Sequence, residues 1–320
     1  MIKTSRFLGH SSAAFRLARS IVKAAPTSAS VLVIGESGTG KEVVARAIHG
    51  RSSRRKQPFV AINCGAISPS LAESELFGHE KGSFTGAVSS TEGCFGRAHM
   101  GTLFLDEITE MPLAMQVQLL RVLENGTYHS VGGSEQKKVN VRIIAATNRD
   151  PKSAVEARTF RSDLLYRLAV FPVRVPSLRE RKSDIPYLAQ RFLQELNEHE
   201  GTNKVFAPDA LFHLESYHWP GNVRELKNTV MRAFILADNQ VEIPPLNADA
   251  KPGRPDVKHG LLKIAVGTRL DSAQRAIIMA TLDYYGGDKR RTAIALGISP
   301  KTLYNRLEEF RKQGYMFRAA

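Results

Sequence analysis

The sequence predicts an α/β fold, a mostly parallel sheet with helices on both faces, followed by two all-helical units. Three observations predict it. Short, nearly all-apolar runs alternate with amphipathic stretches through the first half of the chain, the pattern of a parallel sheet covered on both sides. From Ser183 onward the strand signal disappears and apolar residues recur at helical spacing. A stretch at 239–259 with four prolines and little periodicity then separates the second unit from a third.

Taken in order, strands are expected at Val31–Ile34, Phe59–Asn63, 102–105, 141–145 and 169–173, each too short and apolar for an exposed face. Helices are expected between them at 42–48, 70–77, 112–124 and 160–166. Residues 184–200 place Ile185, Leu188, Ala189, Phe192, Leu193 and Leu196 on one helix face, and helices at 207–216 and 222–237 follow. The last unit reads as helices at 271–285, 289–296 and 300–311. This gives an α/β domain at 1–182, a small helical domain at 183–238, a linker at 239–268 and a C-terminal domain at 269–320.

Composition narrows the function. The 320 residues carry a formal charge of +14 and are 42% hydrophobic, enough for a buried core. The longest apolar runs fall far short of the roughly 18 residues that span a membrane, and residues 1–15 lack the layout of a signal segment. Two cysteines, Cys64 and Cys94, exclude a disulfide scaffold or a cysteine-rich zinc site, so a reduced, cytoplasmic protein is expected. Residues 251–320 hold 14 Lys/Arg against 6 Asp/Glu. That concentration points to a polyanion, most simply nucleic acid, although a basic surface kept for solubility has the same composition.

The first strand runs into Gly35, Glu36, Ser37, Gly38, Thr39, Gly40 and Lys41, with a helical stretch next. A strand, a glycine-rich G-x-x-x-x-G-K loop and a helix form a phosphate cradle: backbone N–H groups and the helix N-terminus face the anion, and Lys41 adds a point charge. Glu42 stands where a Ser or Thr hydroxyl would normally reach Mg²⁺. The strand at 102–105 ends in Asp106 and Glu107. If it lies beside the first strand, both carboxylates meet the phosphates. Asp106 then holds Mg²⁺ and Glu107 polarises the attacking water, which makes ATP the expected substrate.

In the last unit, Asp288 caps the helix at 289–296, Gly297 breaks it, and Ser299 with Pro300 starts the next. This is a helix-turn-helix, with residues 300–311 as the element that enters a major groove. Lys301, Thr302, Asn305 and Arg306 face outward, Leu303 and Leu307 face the core, and Lys289, Arg290 and Arg291 are placed to hold DNA phosphates.

These features sit among longer stretches, at 35–42, 73–78, 82–87, 101–108, 160–165 and 219–228, by which the chain resembles the bacterial enhancer-binding proteins over about residues 7–318. Those are AAA+ ATPases that activate transcription by sigma-54 RNA polymerase. The resemblance implies an AAA+ P-loop parallel sheet with a helical lid, plus a C-terminal Fis-like all-α helix-turn-helix domain that dimerises on inverted-repeat enhancer DNA. Gly82, Ser83, Phe84, Thr85, Gly86 and Ala87 are similar to the loop tip that contacts sigma-54, with Ser83 in place of the usual alanine. The loop at 128–133 resembles its companion, with Ser130 where a basic residue is usual. By position, Asn63 resembles the switch residue, Thr147 and Asn148 the first sensor, and Arg224 the second sensor. Arg161 and Arg167 resemble arginine fingers that enter a neighbour's ATP site, which implies a homo-oligomer, from dimer to hexamer.

The α/β domain begins within ten residues of Met1, so control is expected from expression level or from a regulatory protein acting in trans. Two alternatives remain at this level. One is a DNA-binding regulator that keeps the fold without hydrolysis. The other is an ATP-dependent DNA-loading or initiator protein, a class not expected to carry residues 82–87.

Overall fold

The structure is a computed structural model that describes residues 9–83, 88–246, 262 and 267–312. The chain divides into two compact units, residues 1–244 and 245–320.

The first unit opens with a helix that the sequence reading did not anticipate, α1 (Ser12–Ala24). Ser11 caps it by accepting from the Ala14 N–H, and Ala13, Ala14, Leu17, Ile21 and Ala24 form its buried face. Its C-terminal carbonyls, Ala24 and Ala25, accept from the buried Arg142 guanidinium, both at 2.8 Å.

There follow β1 (Val31–Ile34), α2 (Lys41–Gly50), β2 (Phe59–Asn63), α3 (Pro69–Phe77), α4 (Cys94–Arg97) and β3 (Thr102–Asp106). A 3-10 turn (Ile108–Glu110) leads to α5 (Leu113–Asn125) and an antiparallel hairpin of β4 (Thr127–His129) and β5 (Gln136–Lys138). The domain closes with β6 (Arg142–Thr147), α6 (Pro151–Glu156), α7 (Ser162–Leu168) and β7 (Phe171–Arg174).

The five long strands form one parallel sheet in the order β2-β3-β6-β1-β7. This corrects the expectation that the acidic strand lies beside the first: β6 stands between β3 and β1. The carboxylates still reach the phosphate loop, because β3 and β6 end level with β1, with Ile34 opposite Thr147 and Leu105 opposite Ala145. Along β3 the pleat sends Leu103 and Leu105 into the core under α3, α5 and α7, and Phe104 into the core under α1 and α2.

Two boundaries move for local reasons. Arg161 has extended backbone (φ −79°, ψ 137°) as the residue before α7, so that helix starts two residues later than expected. Strand β6 continues to Thr147, whose hydroxyl pairs with Thr109.

The helical part of this unit begins with a 3-10 segment (Leu178–Asp184), entered through a capping box of Ser177 and Glu180. It continues through α8 (Ile185–Glu200), β8 (Val205–Phe206), α9 (Ala210–Ser216), α10 (Asn222–Leu236) and β9 (Gln240–Val241). Strands β8 and β9 pair in parallel, so β9 belongs to this fold although its residues read as linker. Trp219 is fully buried and its indole N–H donates to the Leu214 carbonyl, anchoring the turn into α10.

The second unit contains α11 (Leu270–Tyr284), α12 (Lys289–Ala295) and α13 (Pro300–Lys312) around Ile278, Leu282, Ala293, Leu303, Leu307 and Phe310. Asp288 accepts from the Arg290 and Arg291 N–H groups, and Ser299 from that of Thr302.

Candidate functional site

The loop between β1 and α2 is shaped by glycine. Gly38 and Gly40 have φ of 76° and 97°, the left-handed region. A Cβ on Gly38 would run into the Gly221 carbonyl oxygen of the turn before α10, so only glycine allows this approach. Lys41 folds back over the loop, its Nζ donating to the Gly35 and Glu36 carbonyls at 3.0 and 3.3 Å. Burial lowers its pKa, an effect opposed by the negative fields of Asp106 and Glu107.

Ser37, Gly38, Thr39, Gly40, Lys41, Glu42, Asn63, Asp106, Glu107 and Arg224 line one cleft of about 510 Å³, within the range of small-molecule sites. Asp106 is half-buried; desolvation raises its pKa and Lys41 opposes the rise. Glu107 sits in left-handed backbone (φ 52°), a conformation costing a non-glycine residue about 1–3 kcal/mol. Gly65 makes room there, since a Cβ on it would lie 2.8 Å from Glu107 Oε2 and 3.4 Å from Asn63 Oδ1. The Asn63 carboxamide oxygen accepts from the Gly65 and Ala66 N–H groups.

Thr147 and Asn148, which the resemblance pairs, lie in different surroundings. Asn148 is exposed and lines an adjoining cleft with Gly65, Glu107 and Glu110. Thr147 is fully buried, its hydroxyl paired with that of Thr109 and accepting from the Arg149 N–H. Glu42 pairs with Arg46 at 2.6 Å on the exposed side of α2.

Four residues clamp the lid onto the loop. Arg224 Nη1 donates to Ser37 Oγ at 3.1 Å. Asn222, fully buried in left-handed backbone (φ 53°), donates to the Ser37 carbonyl at 3.0 Å and to Glu36 at 3.1 Å, and accepts from the Leu178 N–H. Arg179 forms a two-bond pair with the Glu36 carboxylate. Hydrogen bonds from Arg179 and Asn222 hold the Glu36 pKa down at about 2. Arg181, buried among the same elements, donates to the Thr39 carbonyl. Sequence reasoning missed Asn222, Arg179 and Arg181; the matched stretch at 219–228 contains Asn222 but gives no sign of its partners.

Arg161 and Arg167 are exposed, and neither lines the cleft of its own chain. Arg161 pairs with Asp163 at 2.7 Å, and Arg167 donates to the Leu123 carbonyl. Of the loop at 82–87, Phe84, Thr85, Gly86 and Ala87 lie outside the described residues. Its base is tied to the loop at 128–133 by main-chain bonds from Glu80 to Val131 and from Val131 to Gly78, and Lys137 donates to Ser130. Gly82 has φ of 81°, and Ser83 packs on Gly132.

On α13, Lys301, Thr302 and Asn305 are exposed, while Arg306 is half-buried and pairs with Glu309 at 2.9 Å. Arg290 is exposed, Arg291 pairs with Asp288, and Lys289 Nζ lies 5.1 Å from the centre of the Tyr304 ring.

Residues 7–174 match the family described as the sigma-54 interaction domain. The chain belongs to that family. Residues 179–259 match the AAA+ ATPase lid domain and residues 269–310 the bacterial regulatory proteins of the Fis family. The cleft thus lies between the sigma-54 interaction domain and the lid, and the C-terminal helices are of the Fis type. Regulatory protein AtoC of Escherichia coli (strain K12) is 44% identical over 314 residues, 95% of this chain and 67% of that protein. Nitrogen fixation protein AnfA of Azotobacter vinelandii is 44% identical over 313 residues, 96% of this chain and 58% of that protein. The chain thus spans from just over half to two thirds of these relatives. The crystal structure of NtrX from Brucella abortus in complex with ATP is similar at TM-score 0.69 and 35% identity, covering 94% of this chain and 68% of that one. Its complex with ADP gives 0.70 and 36%, with the same coverage. Among the described residues, no helix is long and apolar enough to cross a membrane.

Proposed function

We propose that this chain is an ATP-dependent transcriptional activator that binds enhancer DNA and hydrolyses ATP in a ring oligomer to remodel the sigma-54 polymerase complex. One observation carries the proposal: Lys41, Asp106 and Glu107 of a sigma-54 interaction domain and Arg224 of its lid converge on a single cleft. The related NtrX has been solved with ATP and with ADP, which supports the same nucleotide here.

The loop N–H groups and Lys41 bind the phosphates. Glu107, held beside Asn63 through the space at Gly65, orients a water and takes its proton. Asp106 is the residue that would hold Mg²⁺. The residues fit that ion: a half-buried Asp beside the phosphate cradle suits a cation that keeps water and phosphate oxygens as ligands. When bound, Mg²⁺ offsets negative charge on the phosphates. Arg161 and Arg167, exposed and not lining their own cleft, supply the positive charge that completes a neighbour's site, an effect worth roughly 10³–10⁵ in rate in other NTPases. The loop containing Phe84 and Thr85 carries the stroke to sigma-54.

The test is open-complex formation by sigma-54 polymerase with ATP. The parent chain supports it and Thr85→Ala does not, while both hydrolyse ATP. Equal open-complex yield from the two chains, or yield independent of ATP, contradicts the proposal; the latter outcome favours a DNA-binding regulator that works without hydrolysis.

A further inference from the structure

Gln116, in the first turn of α5, is fully buried, and its side chain touches neither the cleft nor solvent. Its amide joins three separate pieces of backbone. The Nε2 group donates to the Met111 carbonyl at 2.8 Å and to the Thr159 carbonyl at 3.0 Å, and Oε1 accepts from the Arg161 N–H at 2.9 Å. Met111 closes the 3-10 turn that starts at Glu107, and the same turn is fixed to β6 by the Thr109–Thr147 pair. Thr159 and Arg161 flank the entry to α7, where the side chain of the N-cap residue, Arg161, makes no capping hydrogen bond. A neutral carboxamide is the side chain that can donate twice and accept once in so small a space. A carboxylate could not donate to the two carbonyls, and an apolar side chain would leave all three backbone groups without this partner.

We propose that Gln116 is a positioning residue that sets the Arg161 backbone from the segment carrying Glu107. Each protomer then presents its finger to its neighbour in a geometry governed by its own hydrolytic turn. This rests on the reading of Arg161 as a finger acting in trans, and it adds the mechanical link between one site and the next. The link is short and made of main chain on both sides, so a shift of the turn at Glu107 is carried through one rigid amide to Arg161.

The proposal makes Gln116 dispensable to its own pocket and necessary to the next. The experiment uses the full-length chain with Gln116→Met, close in volume, and Gln116→Asn, which keeps the amide on a shorter stem. Both are expected to bind ATP with parental affinity and to lose about tenfold or more in kcat at little change in KM, a fraction of the roughly 10³–10⁵ expected for removing the finger itself. Each is then mixed with Glu107→Gln, whose pocket cannot turn over but whose Arg161 is intact. Turnover should reappear, since a Gln116-variant pocket meets a sound finger from its neighbour. The control pair is Arg161→Ala with Glu107→Gln. Rescue in the control but not with either Gln116 variant overturns the role of Gln116. Loss of ATP affinity in both Gln116 variants overturns it as well, because the residue then serves its own pocket. No rescue in the control overturns the earlier reading of Arg161 as a finger in trans.

Discussion

Glu36 belongs to the phosphate loop by sequence, yet its carboxylate is engaged by the lid residues Arg179 and Asn222. Its pKa in the folded chain is about 2 against an ordinary 4.5, with the Arg179 hydrogen bond as the largest cause. A carboxyl whose folded pKa is depressed contributes stability in full above its unfolded pKa and loses it as the pH falls toward the folded one. The parent should therefore exceed Glu36→Gln in urea midpoint above pH 4.5, with the gap closing between 4.5 and 2. A gap unchanged through that window would show that the pair with Arg179 does not hold the lid. Glu107→Gln should keep ATP binding while lowering turnover roughly 10²–10⁴-fold, the usual worth of a general base, and Lys41→Ala should lose binding altogether in an equilibrium assay. The residues behind these expectations differ in how well the sequence shows them. Lys41 and Glu107 are legible because a loop and a strand end fix their chemistry within a few positions. Asn222 is not, since its partner Glu36 lies 186 residues away and only the fold brings them together.

Among elements, the close approach of the phosphate loop to the turn before α10 is the one most exposed to test. Gly38→Ala places a Cβ against the Gly221 carbonyl and requires left-handed backbone of an alanine. The backbone part alone costs about 1–3 kcal/mol, so the lid should be pushed off and ATP affinity should fall by about tenfold or more by calorimetry; unchanged affinity would mean that the lid does not bear on the loop. The five long strands were legible because parallel strands buried on both faces read as short apolar runs. Their order was not, because no local pattern says that β6 separates β3 from β1. Helix α1 is missing from the sequence reading although Ser11 and a regular apolar stripe mark it. The hairpin of β4 and β5 has three-residue strands, too short for a period to declare itself.

For the whole molecule, two kinds of surface carry the account. The C-terminal helices display Lys301, Thr302 and Asn305 to solvent, so DNA affinity should fall by about 0.9 log units per log unit of salt for each phosphate neutralised. Asn305→Ala should cost roughly 1–3 kcal/mol at one base position and little elsewhere, which a gel-shift series over single-base variants would read; a uniform loss at every position would make Asn305 a phosphate contact. The charge of residues 251–320 made this surface visible in the sequence, whereas the pairing of Arg306 with Glu309 became visible only in the fold. The other surface bears Arg161 and Arg167, which lie outside the cleft of their own chain. If they complete a neighbour's pocket, catalysis belongs to the assembly and not to the chain. The most direct measurement is ATP turnover per chain across a dilution series through the assembly range, followed in parallel by sedimentation. Turnover should collapse as oligomers dissociate, and nucleotide at high protein concentration should restore it. A rate per chain that stays constant down to the monomer would contradict a shared site.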